Sequence, residues 1–235
     1  MAKSVTHVSG TKRHLCLNQY KMPLIRITTF TQSTRSATLA ELIAAHGLAG
    51  FAPRKADSGK PYLLAADGRM AGLAICHVRK SAPPFSIMAI SNAAAMGIDA
   101  EAWPTNETDE AFLNSIAAPE DGPLIAKVRK AGRDPATLLW MLKEAALKAS
   151  GEVMTDPRHI TVCLSPNGHI EASTSASATA PLPRSILRVF ELSTKATENG
   201  VVVAVAIAGL PGPENGPNLN VISAKADIQL HECNW

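Results

Sequence analysis

Two short stretches of the sequence carry residue types that could bind a metal ion and a phosphate together. In Gly97–Glu101, Asp99 and Glu101 stand two residues apart, and because side chains alternate along a strand, both carboxylates point the same way. Further along, Glu144 and Lys148 stand four residues apart, which places them on one face of a helix. If the strand and the helix pack together, this cluster could hold a divalent cation that carries a phosphorylated ligand.

Each half of this cluster also has an ordinary structural explanation. A Glu and a Lys four residues apart are commonly a surface ion pair worth only ~0.2–0.5 kcal/mol. Asp99 and Glu101 alone fit a solvated strand face. Both stretches nevertheless occur in one chain, flanked by Gly97, Trp140 and Gly151, and this combination favours the functional interpretation.

The helix that carries Glu144 has clear start and stop signals. Asp134 is suited to the N-cap and Pro135 to the first helical position. Apolar residues then recur at helical spacing, and Gly151 ends the pattern. Lys143 lies about 100° around the helix from Glu144, so we expect it to have a structural role or to contact solvent.

The remaining predicted elements give one order twice, a helix followed by a meander of strands. Asp67-Gly68 and Asn167-Gly168 are hairpin signals, and residues 54–61 form a predicted basic loop. The predicted helices cover 39–48, 109–116, 124–130 and 135–150, and the predicted strands cover 62–65, 72–78, 85–91, 96–101, 159–164, 169–173, 186–192 and 201–208.

This order predicts an α+β fold of two similar halves related by a pseudo-twofold axis. Each half would be a two-layer α/β unit, with a helix packed on a small, mostly antiparallel sheet. We predict an N-terminal extension at 1–33, the first half at 34–104, the second half at 105–210 and a C-terminal tail at 211–235. The carboxylates of the strand would come from the first half and the helix from the second, so the site would lie at their junction.

Composition and charge exclude several classes of protein. The chain is 46% hydrophobic and 18% charged, as expected for a globular protein. Its net charge of +3 is too small to indicate binding to nucleic acid or to a membrane surface. The four cysteines form no CxxC pair, which disfavours a zinc or redox site. We see no signal peptide, and the longest apolar run, 201–210, is too short to span a bilayer, so we expect a cytoplasmic protein.

Four stretches resemble motifs of the 4′-phosphopantetheinyl transferases, in particular the larger, two-halved, surfactin-synthetase-activating type. Residues 97–101 are similar to the acidic motif of this family. Residues 140–151 are similar to its helical motif, including the Trp, the Lys-Glu-Ala run and the final Lys, and residues 59–61 resemble its Gly-Lys-Pro loop. Residues 73–78 correspond to a motif that usually reads Phe-Asn-x-Ser-His-Ser, of which His77 is retained.

The resemblance implies the 4′-phosphopantetheinyl transferase fold and its reaction. These enzymes transfer the phosphopantetheine arm of coenzyme A to a serine of an acyl or peptidyl carrier protein and release 3′,5′-ADP. Mg²⁺ is the implied cofactor, with Asp99 and Glu144 as ligands and Glu101 either as a ligand or holding a metal-bound water. The base is Glu144 or a metal-bound water oriented by Glu101, and the sequence does not separate the two. Lys148 would contact the pyrophosphate.

The resemblance also implies which residues bind the rest of coenzyme A. Lys60 and His77 would bind the 3′-phosphate, with Arg54 as a nearby cation. Carrier proteins are usually acidic, and the basic loops around Lys60 and Arg79 could contact either the carrier protein or the nucleotide. Because one chain would supply both sides of the site, we expect a monomer.

Two alternative functions stay open at this point. Ala74, Cys76 and Val78 stand where the family pattern has Asn and two Ser, which would suit a diverged homologue that binds coenzyme A or a carrier protein without transferring the arm. The same carboxylates could also activate water, as in a metal-dependent phosphohydrolase.

Overall fold

The computed structural model describes residues 23–78, 84–93, 95–104, 107–152, 156–165, 168–174, 182–193, 200–209 and 219–233. Most of the predicted N-terminal extension lies outside these residues, as does Arg79. Two predicted site neighbourhoods, around residues 97–104 and 140–152, are described throughout.

The described part of the chain contains four α-helices and twelve β-strands. The helices are α1 (Arg35–Ala45), α2 (Glu110–Ile116), α3 (Gly122–Lys130) and α4 (Pro135–Ser150). The strands are β1 (Leu24–Phe30), β2 (Phe51–Lys55), β3 (Pro61–Ala65), β4 (Met70–Val78), β5 (Phe85–Ser91), β6 (Met96–Ala102), β7 (Ile160–Leu164), β8 (Ile170–Thr174), β9 (Ser185–Ser193), β10 (Val201–Ala208), β11 (Asn220–Ser223) and β12 (Gln229–Glu232).

The strands form two sheets. The first has the order β11-β1-β5-β4-β3-β2, and its neighbours are antiparallel except for β1 and β11, which run parallel. The second has the antiparallel order β6-β10-β9-β8-β7, with β12 paired to β9. The predicted α+β class with mostly antiparallel sheets is therefore confirmed.

The two sheets pack face to face, and each has a helix on its outer face. Alternation along β4 shows this arrangement: Ala74, Cys76 and Val78 lie in the core between the sheets, whereas Leu73 and Ile75 pack with α1. On the far side, the apolar face of α4 packs on β6, β9 and β10. The layers therefore follow the order α1, first sheet, second sheet, α4.

Strand β6 belongs to the second sheet, although we expected it to be the last strand of the meander in the first half. It pairs with β10 from Met96↔Ile207 to Ala102↔Val201. Every residue of β10 is buried, so this strand needs a hydrogen-bonded neighbour on both edges, and β6 and β9 provide them. The strand that carries Asp99 thus lies directly under α4. The boundaries of the two halves stay a prediction.

Four strands add to those predicted from the sequence. β1 falls in the predicted extension, β2 overlaps the first two residues of the predicted basic loop, and β11 and β12 fall in the predicted tail. β11 pairs with β1 in the first sheet and β12 pairs with β9 in the second. β2, β11 and β12 are only four or five residues long, and β1, β11 and β12 pair with segments distant in the chain, which local patterning does not reveal.

The ends of α4 are as predicted. The Asp134 carboxylate accepts hydrogen bonds from the backbone N–H groups of Ala136 and Thr137, at 3.4 and 2.9 Å. Gly151 follows the last turn with φ 81°, the left-handed conformation that glycine adopts without strain. Among the described helices, none is long and apolar enough to cross a membrane.

Candidate functional site

Gly97 allows β6 and α4 to approach each other closely. A Cβ atom at this position would lie 2.1 Å from the carbonyl oxygen of Ala145 and 2.4 Å from the backbone nitrogen of Ala149. Both neighbours are backbone atoms of α4, which a side-chain rotation cannot move away. The glycine of the acidic stretch therefore has a packing role, since it brings the strand into contact with the helix.

Asp99 and Glu101 project from β6 toward α4, on the same face as Gly97. Their partners across the sheet are Ala204 and Val202, which belong to the core beneath α4. Asp99 is 8% exposed, and Glu101 is half-buried. The predicted common direction of the two carboxylates is therefore present.

The Lys148 ammonium joins the strand to the helix. Its Nζ lies 2.6 Å from Asp99 Oδ1 and 3.4 Å from Glu144 Oε2. Burial raises the pKa of Asp99 above its ordinary value, against the effect of Lys148. Burial alone would lower the pKa of Lys148, but the Asp99 and Glu144 carboxylates outweigh it and raise that pKa. Lys148 is therefore a firmly protonated cation held between two carboxylates.

The carboxylates can be tested for their fit to magnesium. Within the described residues, no group of three or more His, Cys, Asp or Glu side chains is arranged to hold a metal ion. Asp99 and Glu144 nevertheless already converge on one cationic group, and Glu101 lies on the same face of β6. Magnesium prefers such oxygen donors, so their chemical type suits the ion, and an ion bound there would compete with the Lys148 ammonium, which contacts both Asp99 and Glu144 in this structure.

A pocket of about 290 Å³ lies beside this cluster. Lys60 and Lys148 both line it, as do Gly151 and Glu152, the two residues that follow α4. The rest of the wall consists of Ser58, Gly59, Pro61, Leu73, Ala74, Ile75 and Met96. At this pocket the loop before β3 and strand β4 of the first sheet meet α4, the helix that covers the second sheet. Two lysines facing one cavity favour an anionic ligand.

Lys60 contacts the C-terminal end of α4. Its ammonium donates a hydrogen bond to the carbonyl oxygen of Ala149, one of the carbonyls that a helix leaves without an internal partner. A Cβ atom at Gly151 would lie 3.5 Å from Lys60 Cδ, so the side chain lies along the left-handed turn. Burial lowers the pKa of Lys60. The Gly-Lys-Pro loop thus binds the helix directly.

Two predicted binding residues are not among those that line this pocket. His77 is exposed and its Nδ1 is 2.6 Å from Ser86 Oγ on the neighbouring strand. Arg54 is exposed on the edge strand β2, where it donates to the carbonyl of Pro53 at 3.2 Å. The adjacent Cys76 faces the opposite way into the core, where burial raises the pKa of its thiol far above its ordinary value. The roles of His77 and Arg54 stay predictions.

Lys143 forms a fully buried ion pair that the sequence did not reveal. Its Nζ donates to Asp121 Oδ2 at 2.7 Å and to the carbonyl oxygens of Ile116 and Pro157, at 2.7 and 3.0 Å. Asp121 also accepts from the backbone N–H of Val162 at 2.6 Å. Both side chains are 0% exposed, so of the two possibilities expected for Lys143, a structural role or contact with solvent, the structure shows the structural role. No sequence signal marked Asp121.

Aromatic residues lie toward the other end of α4. The rings of Trp140 and Phe112 are 5.7 Å apart between centroids. Trp103, which follows β6, lies under the Arg133 guanidinium at 5.3 Å and donates to Glu191 at 3.1 Å. The start of β6, at Gly97, contacts the C-terminal half of α4. Trp103, just after the end of β6, contacts Arg133, just before the start of α4. The strand and the helix therefore run in opposite directions.

Comparison with known proteins gives one finding that bears on this site. Residues 95–206 match the family model described as the 4′-phosphopantetheinyl transferase superfamily. This range includes all of β6 and α4 and most of β10, and therefore the Asp99, Glu101, Glu144 and Lys148 cluster. A search of curated proteins finds no match.

Proposed function

Because residues 95–206 form a domain of the 4′-phosphopantetheinyl transferase superfamily, we propose that this protein is a magnesium-dependent transferase of the phosphopantetheine arm. It takes the arm from coenzyme A, attaches it to a serine of an acyl or peptidyl carrier protein and releases 3′,5′-ADP. One observation carries the proposal. A cation, Lys148, joins Asp99 to Glu144 at the wall of a pocket that Lys60 also lines.

The two lysines are suited to the phosphates of coenzyme A. Breaking the pyrophosphate places negative charge on phosphate oxygens, and fixed positive groups stabilise that charge. Lys148 faces the pocket from α4 and Lys60 faces it from the first sheet. Both lysines are partly removed from water, which strengthens their attraction to an anion.

The carboxylates would hold magnesium and take up the serine proton. Asp99 and Glu144 would be the ligands, with Glu101 beside them, and the ion would supply charge to neutralise the phosphates. Glu144 is half-buried and faces the site, so it can accept the proton of an incoming serine hydroxyl. Glu101 is the other candidate, acting through a water molecule that it orients.

The transfer can be measured directly. An apo carrier protein is incubated with this protein, coenzyme A and Mg²⁺, and the carrier is weighed by mass spectrometry. We expect the carrier to gain the mass of one phosphopantetheine group, with 3′,5′-ADP in the supernatant. Binding of coenzyme A without a gain in mass would instead indicate a non-catalytic homologue. Release of inorganic phosphate without modification would indicate a phosphohydrolase.

The variant Glu144→Gln tests the carboxylate on α4. We expect its transfer rate to fall by at least about 100-fold, because the amide can neither accept the proton nor hold a metal ion as a carboxylate does. Circular dichroism should show an unchanged fold, since Glu144 is not part of the buried core. Glu41→Gln, an exposed substitution on α1, is the matched control. Full activity of Glu144→Gln would remove this residue from the mechanism.

The same arrangement bears on the oligomeric state of the enzyme. We propose a monomer, because a single chain contributes both walls of the pocket. The larger, two-halved subtype and the cytoplasmic location stay predictions.

A further inference from the structure

The pocket beside the carboxylate cluster is lined by one acidic residue as well as by two lysines. Glu152 lines it together with Lys60 and Lys148, and it stands two residues after the end of α4. Gly151 turns the chain at the end of the helix and lies beside the Lys60 side chain. The backbone N–H of Glu152 donates to Ser150 Oγ at 3.3 Å. Glu152 therefore stands where the last turn of α4 meets the Gly-Lys-Pro loop.

The described part of the fold gives the Glu152 side chain no structural partner. It is exposed, and among the residues that the structure describes its carboxylate has neither an ion-pair partner nor a hydrogen-bond donor. The carbonyl groups at the C-terminal end of a helix carry partial negative charge, so an acidic residue is disfavoured there. A carboxylate that does not stabilise the helix and that lines a pocket is available to contact a ligand.

Two ammonium groups and one carboxylate suit a ligand that carries both anionic oxygens and hydrogen-bond donors. The lysines attract phosphate, whereas a carboxylate accepts hydrogen bonds and repels phosphate oxygens. A fully ionised inorganic phosphate or pyrophosphate would therefore gain nothing from Glu152. A nucleotide has both kinds of group close together, because the ribose next to its 5′-phosphate carries hydroxyl groups.

The order of the residues along the chain indicates which part of coenzyme A reaches Glu152. Glu144, Lys148 and Glu152 follow one another at intervals of four residues. On the proposed function, the serine hydroxyl attacks from the side of Glu144. The attacking and leaving oxygens lie roughly in line across the phosphorus, so the leaving nucleotide lies beyond Lys148, toward Glu152. The ribose is the hydroxyl-bearing group on that side of the pyrophosphate.

We propose that Glu152 is a specificity-determining residue whose carboxylate accepts a hydrogen bond from the ribose 2′-hydroxyl group. In coenzyme A the 3′-oxygen carries a phosphate and the 5′-oxygen carries the pyrophosphate, so the 2′-hydroxyl is the ribose donor that remains. The contact favours ribonucleotides over their 2′-deoxy counterparts. Because the same carboxylate repels the nearby phosphates, it lowers the overall affinity while it raises this selectivity. The inference rests on the proposed function and assigns the ribose end of the pocket.

Adenosine 3′,5′-bisphosphate and 2′-deoxyadenosine 3′,5′-bisphosphate differ only in the 2′-hydroxyl group, and they are the probes that test this contact. Their dissociation constants are measured by isothermal titration calorimetry, with Mg²⁺ present, for the wild type and for variants of Glu152. We expect the wild type to bind the ribonucleotide about tenfold more tightly, as for a hydrogen bond to a charged group. Glu152→Ala should bind both nucleotides equally.

Two further variants serve as controls. Glu152→Gln keeps an acceptor oxygen but loses the charge, so it should retain part of the preference and bind both nucleotides more tightly than the wild type. Glu41→Ala, an exposed substitution on α1, is the matched control and should retain the full preference of the wild type.

The possible outcomes separate this inference from the proposed function. If the wild type transfers the arm but shows no preference for the ribonucleotide, or Glu152→Ala keeps that preference, the ribose contact is wrong and the function stands. An equal gain in affinity for both nucleotides in Glu152→Ala would also overturn it, since Glu152 would then act by repulsion alone. If the wild type transfers nothing, the function fails. A preference that Glu152→Ala abolishes would still establish the contact, and failure of both nucleotides to bind would overturn it.

Discussion

Two lysines of α4, only five positions apart, have opposite environments and opposite roles. Lys143 is 0% exposed and is surrounded by three acceptors, so it fastens the helix to the segments around Asp121. The side chain of Lys148 is 37% exposed, and it faces the pocket. We expect the half-buried Lys148–Asp99 pair to contribute more to the free energy of unfolding than a surface ion pair, which typically contributes ~0–1 kcal/mol. Its contribution should be smaller than the ~3–5 kcal/mol that is lost when a fully buried pair is broken.

At the scale of single residues, the expected competition between Lys148 and a metal ion for the Asp99 carboxylate can be tested. In Lys148→Met the Asp99 carboxylate loses its cation, so Mg²⁺ should bind more readily than in the wild type. We expect Mg²⁺, without coenzyme A, to raise the Tm of Lys148→Met by more than it raises the Tm of the wild type. Differential scanning fluorimetry measures both shifts. The double variant with Asp99→Asn is the control, and it should lose the additional shift.

A larger shift for the wild type than for Lys148→Met would contradict this competition. It would mean that the ion and the ammonium bind to Asp99 together, without displacing each other. Equal shifts for the double variant and for Lys148→Met would show that the ion binds elsewhere.

At the scale of elements, the site depends on the close contact of one strand with one helix. The carboxylate of Asp99 reaches Lys148 because β6 lies against the backbone of α4, and Gly97 is the residue that permits it. The N-cap at Asp134 and the left-handed turn at Gly151 determine where α4 begins and ends. Together they determine where Glu144 and Lys148 lie along the helix axis relative to Asp99 on β6.

Gly97→Ala should therefore destabilise the protein strongly. The added methyl group would overlap two backbone atoms of α4, at 2.1 and 2.4 Å, so the helix must move away from the sheet. We expect a loss of roughly 3 kcal/mol in the free energy of unfolding, measured by urea denaturation. Gly122→Ala is the matched control because no atom lies within 4 Å of its added Cβ. Comparable stability of the two variants would contradict the packing role of Gly97.

At the scale of the whole molecule, the pocket lies where the loop before β3 meets the C-terminal end of α4. The loop before β3 belongs to the first sheet, and its Lys60 donates to the last turn of the helix that covers the second sheet. The residue expected to bind coenzyme A thus also holds the two sides of the pocket together. We therefore expect a substitution of Lys60 to weaken both the packing of this loop on α4 and the binding of the ligand.

Hydrogen exchange of the ligand-free protein separates these two roles of Lys60. In Lys60→Met the carbonyl of Ala149 loses its partner, so we expect the amides of the last turn of α4 to exchange faster by several-fold. The exposed substitution Lys55→Met on β2 should leave them unchanged. If exchange in Lys60→Met matches the wild type while the affinity for coenzyme A falls, Lys60 serves the ligand alone.

The sequence by itself determined the local features of this protein. The capping residues placed α4 correctly, the alternation of β6 put Asp99 and Glu101 on one face, and the four-residue spacing put Glu144 beside Lys148. Each of these depends on bonds and side-chain directions within a few residues, which residue order specifies. The tertiary structure decided which segments meet.

Only the folded chain shows that β6 pairs with β10, that Lys60 reaches Ala149, and that His77 contacts Ser86 on the neighbouring strand. It also shows that Asp121 holds Lys143 in the core. These contacts join residues far apart in the chain, and they follow from which buried strand edges and helix ends lack partners. That requirement is a property of the whole fold, and no local pattern expresses it.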